Sequence, residues 1–145
     1  DVALMRPTTP LRDPKVIDKS IEIYYNNKDA VTSLRSLNPM KESPYKVFKI
    51  EDNYCRGFFK DFEGIKNYSN LPRQAFPKSY EANGHIDIVK RETVRMGDTF
   101  GDKIYALVVD KVVDIDSPFD LEILKVQVNT KKDLLSKHLR EEKNE

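Results

Sequence analysis

Apolar and polar positions along this chain switch between two periods, and the switches mark its elements. Val2-Ala3-Leu4-Met5 is a continuous apolar run of the kind found in buried strands. Residues 6–12 form a proline-rich loop. Asp13-Pro14 then supplies an N-cap and a first-turn proline. Val16, Ile17, Ser20, Ile21 and Tyr24 recur at helical spacing, which predicts a helix to about residue 25, broken by Asn26-Asn27-Lys28-Asp29. Residues 30–34 read as a second strand. Strand, loop, helix and strand make a βαβ unit and predict an α/β domain with a mostly parallel sheet.

The middle of the chain reads differently. Residues 45–50 alternate like a strand, Asp52-Asn53 marks a turn, and residues 54–59 read as the return strand of a hairpin. Residues 60–83 carry turn formers and little periodicity. Residues 85–89 alternate again, a short helix is expected near 91–96, and residues 103–109 form a strand. The Asp114 region is expected to continue that strand or to form a short neighbour. Ser117-Pro118-Phe119-Asp120 has the pattern of a capping box at a helix start. Residues 131–145 are almost all charged and read as a solvated or fraying helical tail.

Composition narrows the class. A chain of 145 residues suits one domain, and 39% hydrophobic with 34% charged residues allows a core under a well-solvated surface. Lys plus Arg is 25 against 24 for Asp plus Glu, a net charge of +1, which argues against a nucleic-acid binder. The single cysteine, Cys55, excludes an internal disulfide and fits a cytoplasmic setting. No apolar run approaches the ~18 residues of a membrane span, and no signal peptide is recognisable. A chain that opens on Asp1 and runs at once into an apolar stretch reads as part of a larger fold.

Two segments carry candidate chemistry. In Val112-Val113-Asp114-Ile115-Asp116, an extended backbone would set Asp114 and Asp116 side by side with Ile115 turned inward. Two such carboxylates repel unless a cation lies between them, and Mg²⁺ takes one or two carboxylates with phosphate and water as its other ligands. Turn and capping roles are the alternative for both aspartates. The second segment, residues 71–84, offers the planar fork of Arg73, suited to a carboxylate or phosphate, the amides of Gln74 and Asn83, suited to hydroxyls and amides of a sugar, and Gly84, which permits close backbone approach. The alternative there is a polar surface loop. Ligands of open α/β sheets bind at the carboxyl ends of strands, where the loops 6–12 and 114–116 are expected to meet.

Pro7-Thr8-Thr9-Pro10-Leu11-Arg12, Ser43-Pro44-Tyr45-Lys46, Arg73-Gln74, Pro77, Tyr80, Asn83-Gly84 and Asp114-Ile115-Asp116 occur in a fixed order along residues 1–125. In that order and spacing the chain resembles the acylneuraminate cytidylyltransferases, the CMP-sialic acid synthetases and their relatives for other nine-carbon keto sugar acids. The resemblance implies a Rossmann-like nucleotidyltransferase. In that reaction the anomeric hydroxyl of the sugar acid attacks the α-phosphorus of CTP and pyrophosphate leaves. It implies Asp114 and Asp116 as the Mg²⁺ pair and Lys46 as a cation facing substrate anions. Arg6, Thr8, Arg73, Gln74, Tyr80, Asn83 and Asp87 are implied as substrate contacts. Residues 1–130 would be the C-terminal portion of the domain, with residues 40–85 as an arm that forms a homodimer.

Two positions depart from the family pattern. Arg6 stands where glutamine is usual, and Asp87 where an aromatic follows Asn-Gly-x-Ile. Both alter charge, which opens the choice of sugar to legionaminic-, pseudaminic- or other acylated acids. The family's CTP-cradling loop would lie ahead of Asp1, so this chain alone is expected to be nearly inactive. The alternatives are a glycosyltransferase of the Asp-x-Asp type, which would not need the Arg73-Gln74…Asn83-Gly84 block, and a non-catalytic dimerisation remnant. His85 and His138 do not read as a metal pair, and Cys55 lacks a partner histidine for nucleophilic work.

Overall fold

A computed structural model describes residues 1–130. Its centre is a four-stranded sheet in the order β1-β5-β2-β6, built from Val2–Leu4 (β1), Ser33–Pro39 (β2), Tyr80–Val89 (β5) and Ile104–Val108 (β6). β5 runs antiparallel to both β1 and β2, and β6 runs parallel to β2. β1, β2 and β6 therefore share a direction, as expected, but the sheet is mixed. A helical crossover fixes the direction of the strand it leads to, not its neighbour. Here the ten-residue β5 enters between β1 and β2 and pairs with both.

Helix α1 (Pro14–Asn27) starts as the sequence predicts, with the Asp13 side chain accepting from the backbone N–H of Lys15. It lays Ile17, Ile23 and Tyr24 on one face of the sheet, where Tyr24 meets Leu34, Ile86, Ile88 and Leu107. Ser20 sits on the same face and satisfies its buried hydroxyl on the Val16 carbonyl. β1 is an edge strand, so Val2 and Leu4 stay close to half exposed rather than buried as their apolar run suggested.

Residues 40–79 form a separate layer of turns. Ser43 caps a 3-10 turn over Pro44–Lys46, which takes the place of the first half of the expected strand at 45–50. The hairpin Phe48–Glu51 (β3) and Tyr54–Gly57 (β4) turns at Asp52-Asn53. Both turn residues have positive φ, the conformation Asp and Asn tolerate best after glycine. Tyr45, Phe59, Phe62, Tyr68 and Phe76 pack their rings together behind it. Phe59 and Phe62 join this aromatic cluster, Phe59 remaining partly exposed at its edge, while Tyr54 and Phe58 lie outside it and are exposed.

α2 (Arg91–Arg95) lies where a short helix is expected. α3 (Pro118–Thr130) opens on the predicted capping box: the Ser117 N–H donates to Asp120 at 2.8 Å, and the Asp120 N–H donates back to Ser117 Oγ at 3.3 Å. Residues 109–115 are not a strand, so the Asp114 region neither continues β6 nor pairs beside it. The charged tail at 131–145 lies outside the described residues. Among the described residues, no helix is long and apolar enough to cross a membrane.

Candidate functional site

The site is built around an irregularity in the pairing of β5 with β2. Arg35 pairs with Asp87 and Leu37 with Ala82, so Ser36 alone faces residues 83–86. Bulges of this kind re-aim side chains and leave backbone groups without ladder partners. Here side chains satisfy them. Ser36 Oγ accepts from the Ile86 N–H at 3.0 Å, and Asn83 Oδ1 accepts from the His85 N–H at 3.1 Å. The Arg12 guanidinium donates to the carbonyls of His85 at 2.6 Å, of Gly84 at 3.2 Å, and of Arg6. One planar fork thus fastens the loop after β1 to the bulge.

Gly84 turns the bulge with φ of +66°. A Cβ there would lie 3.0 Å from Thr9 Oγ1, 3.6 Å from Arg6 Cδ and 3.9 Å from Asp114 Oδ2. The absence of a side chain is what lets three segments converge. Thr9 Oγ1 donates to Asp114 Oδ1 at 3.3 Å, and the Ile115 N–H donates to the Thr8 carbonyl at 2.9 Å. The loops 6–12 and 114–116 therefore meet at one end of the sheet, as the shared direction of β1 and β6 requires. The Asp114-Ile115-Asp116 backbone is held by this loop bond and by the Asp116 N–H donating to Asp120 Oδ2 at 3.3 Å, not by a strand ladder. Asp114 is half-buried and Asp116 exposed.

Charge is concentrated under this end of the sheet. Asp87 is buried, and burial pushes its carboxyl up; Arg35 and Arg6 oppose that shift. Arg35 Nε lies 3.7 Å from Asp87 Oδ1, and its guanidinium stacks 4.3 Å from the Phe100 ring centroid. Asp87 Oδ1, Arg35 Nε and Asn83 Nδ2 are buried and make no hydrogen bond. Burial also pulls the Arg12 guanidinium down from its ordinary value, and the nearby Asp114 carboxylate pulls it back. His85 is buried beside them; burial pushes its imidazole down, contact with Asp13 pulls it up, and the Arg12 charge pushes it down further.

Of the residues singled out from the sequence, the structure brings Arg6, Thr8, Asn83, Asp87 and Asp114 into this cluster or directly beneath it, with Asp116 at its rim. Arg73, Gln74, Lys46 and Tyr80 are held elsewhere. Arg73 pairs with Glu42 at 2.5 Å on the exposed surface, and Gln74 is exposed beside it. Lys46 Nζ donates to the Ser69 carbonyl at 3.0 Å, and Tyr80 is largely exposed at the start of β5. Thr9, Arg12, Arg35 and Ser36 belong to the cluster but were not singled out. Arg12 carried a sequence signal, as the charged end of an otherwise Pro- and Thr-rich loop. Ser36 and Arg35 carried none, because only the register of β5 gives them their roles.

Asp114 Oδ1 accepts from Thr9 where the loops meet, and Asp116, two residues on, is exposed. No group of three or more His, Cys, Asp or Glu side chains is placed to hold a metal ion among the described residues. Asp114 Oδ2 lies 3.9 Å from the Cβ position at Gly84, where Thr9 Oγ1 and Arg6 Cδ come closer still; a cation held by such carboxylates would take its remaining ligands from phosphate and water.

No family model matches the chain. Over 130 residues, 86% of its length, the chain is 27% identical to the post-translational flagellin modification protein B of Campylobacter coli. It spans about half of that protein, 51% of its length.

Proposed function

We propose that this chain forms the sugar-acid and metal end of a cytidylyltransferase, which joins CMP from CTP to a nine-carbon keto sugar acid and releases pyrophosphate. The observation that carries the reading is the meeting of the Arg6–Arg12 loop, the Asn83-Gly84 bulge and Asp114. These are three of the motifs whose order suggested the family, and they lie far apart in sequence. Similarity to a protein named for flagellin modification supports a place in post-translational modification.

Each side chain then has a chemical task. Asp114 and Asp116 would hold Mg²⁺, which supplies charge neutralisation for the phosphates when bound. Thr9 orients Asp114 through its hydroxyl. Arg12 fixes the loop and bulge against each other, so that the acceptor sugar meets one preorganised surface rather than two mobile ones. Arg6 and Asn83 offer donors to the sugar acid. In the assembled enzyme, a homodimer, the arm at 40–85 would bring Arg73, Gln74, Tyr80 and Lys46 to a site. That placement accounts for their distance from the cluster within one chain.

The test is pyrophosphate release from CTP and Mg²⁺ by the complete gene product that carries this chain, across a panel of nine-carbon keto sugar acids. Release should require a sugar, and Asp116→Ala should abolish it. Release that ignores the sugar, or that survives Asp116→Ala, contradicts the reading.

A further inference from the structure

We infer that the hairpin arm carries a phosphate site of its own, a hollow that takes the phosphate chain of a nucleoside triphosphate or of an inorganic polyphosphate, separate from the Asp114 end of the sheet. The hollow has a volume of about 510 Å³, within the range of small-ligand sites. It is lined by the β3–β4 hairpin and by the loop that leads from it to Tyr68. None of its lining residues belongs to the Arg6–Arg12 loop, the Asn83-Gly84 bulge or the Asp114 segment.

Strand pairing sets its charge. Lys49 and Arg56 sit directly opposite each other on β3 and β4. Like charges in that position repel. Glu51, two residues from Lys49 and so on the same face, lies 2.7 Å from Lys49 Nζ and 3.2 Å from Arg56 Nε. One carboxylate thus serves two cations. Lys60 and Lys66 join them from the loop, exposed and without an ion pair or hydrogen bond among the described residues. Four cations therefore line the hollow against one carboxylate. Asp52, Asp61 and Glu63 of the same segment do not line it: Asp52 turns the hairpin, and Asp61 accepts from the Gly64 N–H at 3.0 Å. Cations from two strands and a loop around one hollow suit successive phosphates, the arginine as a fork and the lysines as point charges.

The wall is fixed in advance. Tyr68 is buried in it, and its hydroxyl is bonded to both the N–H and the carbonyl of Phe59. Phe48 and Phe58 also line the hollow, more than half exposed and outside the aromatic cluster of the arm. Each keeps a ring on which a base can stack, a contact that any base can make. Ile50 and Cys55 pair on the opposite face of the hairpin and take no part.

Lysine acylation of the complete gene product, read residue by residue by mass spectrometry, tests the site directly. Sodium tripolyphosphate, ATP and a single-stranded DNA oligonucleotide are the probes, in EDTA, with sodium chloride at matched ionic strength as the control. Tripolyphosphate and ATP should slow acylation of Lys60 and Lys66 and leave the exposed Lys19 and Lys78 unchanged. Glu51→Gln removes the competing carboxylate and should lower the half-protecting concentration about fivefold, the scale of one nearby surface charge. If Glu51→Gln does not fold, Lys66→Gln replaces it and should raise that concentration at Lys60. Protection by ATP at lower concentration than tripolyphosphate, with the difference lost in Phe58→Ala, identifies a nucleotide; equal protection identifies an inorganic polyphosphate. Acylation of Lys60 and Lys66 unchanged by both probes overturns the inference, as does a Glu51→Gln protein that is protected no better than wild type. Stronger protection by the oligonucleotide than by ATP overturns it in favour of nucleic acid. Lys60 and Lys66 already shielded before any probe is added overturn it too, since another surface then fills the hollow.

Discussion

Arg12 and Gly84 are joined across 72 residues of chain, the guanidinium donating to the glycine carbonyl at 3.2 Å while it also holds the carbonyls of His85 and Arg6. The bulge exists because an arginine takes over bonds that a strand ladder would have supplied. A lysine places its charge at one point and lacks the fork. Arg12→Lys should therefore lower stability by about 2 kcal/mol, the scale of a charged hydrogen bond lost from a buried acceptor. Urea unfolding checks this, and a midpoint within error of wild type would show that the bulge needs no staple.

The conformation at Gly84 makes a second test. Its φ of +66° strains any other residue, and a Cβ would press on Thr9 Oγ1 at 3.0 Å. Gly84→Ala should cost about 1 kcal/mol or more and weaken Mg²⁺-dependent activity beyond the loss of stability, because the Thr9–Asp114 bond must give way. Gly64 shares the positive φ but has open space around it. Gly64→Ala should show the backbone cost alone, with activity unchanged. Thermal unfolding and turnover of the two variants separate strain from site geometry.

His85 predicts the pH response. Its imidazole is held below the ordinary range by burial, so on acidification the unfolded chain takes up a proton that the folded chain resists. More protons bound in the unfolded state means that stability rises with pH across this window. It is lost as pH falls from about 7 to about 5. Asp87, raised by burial, contributes the opposite slope, so the signature lies in a difference. Wild type minus His85→Phe should show a stability gap that shrinks or reverses on acidification. A gap independent of pH would mean that His85 titrates normally.

The arm has its own keystone in Tyr68, whose hydroxyl donates to the Phe59 carbonyl at 2.9 Å and accepts from the Phe59 N–H at 3.1 Å. A Cβ on Gly57 would fall 2.0 Å from that oxygen. Tyr68→Phe should cost about 1 kcal/mol. Gly57→Ala should cost more, and the two together less than their sum, because the first change removes the atom the second must displace. Denaturant titration of the four-member cycle reads the coupling directly.

Local signals in the sequence were legible where the physics is local. Asp13-Pro14 and Ser117-Pro118-x-Asp120 marked both long helices by their caps, and Asp52-Asn53 marked the hairpin. Order in the sheet was not legible, since β5 enters between β1 and β2 from far downstream and no periodicity records its register. The same gap hid Arg35 and Ser36, which acquire roles only when β5 is placed. Asp114 was singled out as a carboxylate, and its backbone is a loop held by Thr8, not the strand that alternation suggested.

The central claim is that CTP is the CMP donor and a keto sugar acid the acceptor. ³¹P NMR of a reaction containing the complete gene product, CTP, Mg²⁺ and the active sugar acid tests it most directly. The expected result is one new phosphodiester resonance from CMP linked to the sugar acid, appearing in equal amount with pyrophosphate. Sugar transfer from a preformed nucleotide sugar, with CTP left unchanged, would contradict it.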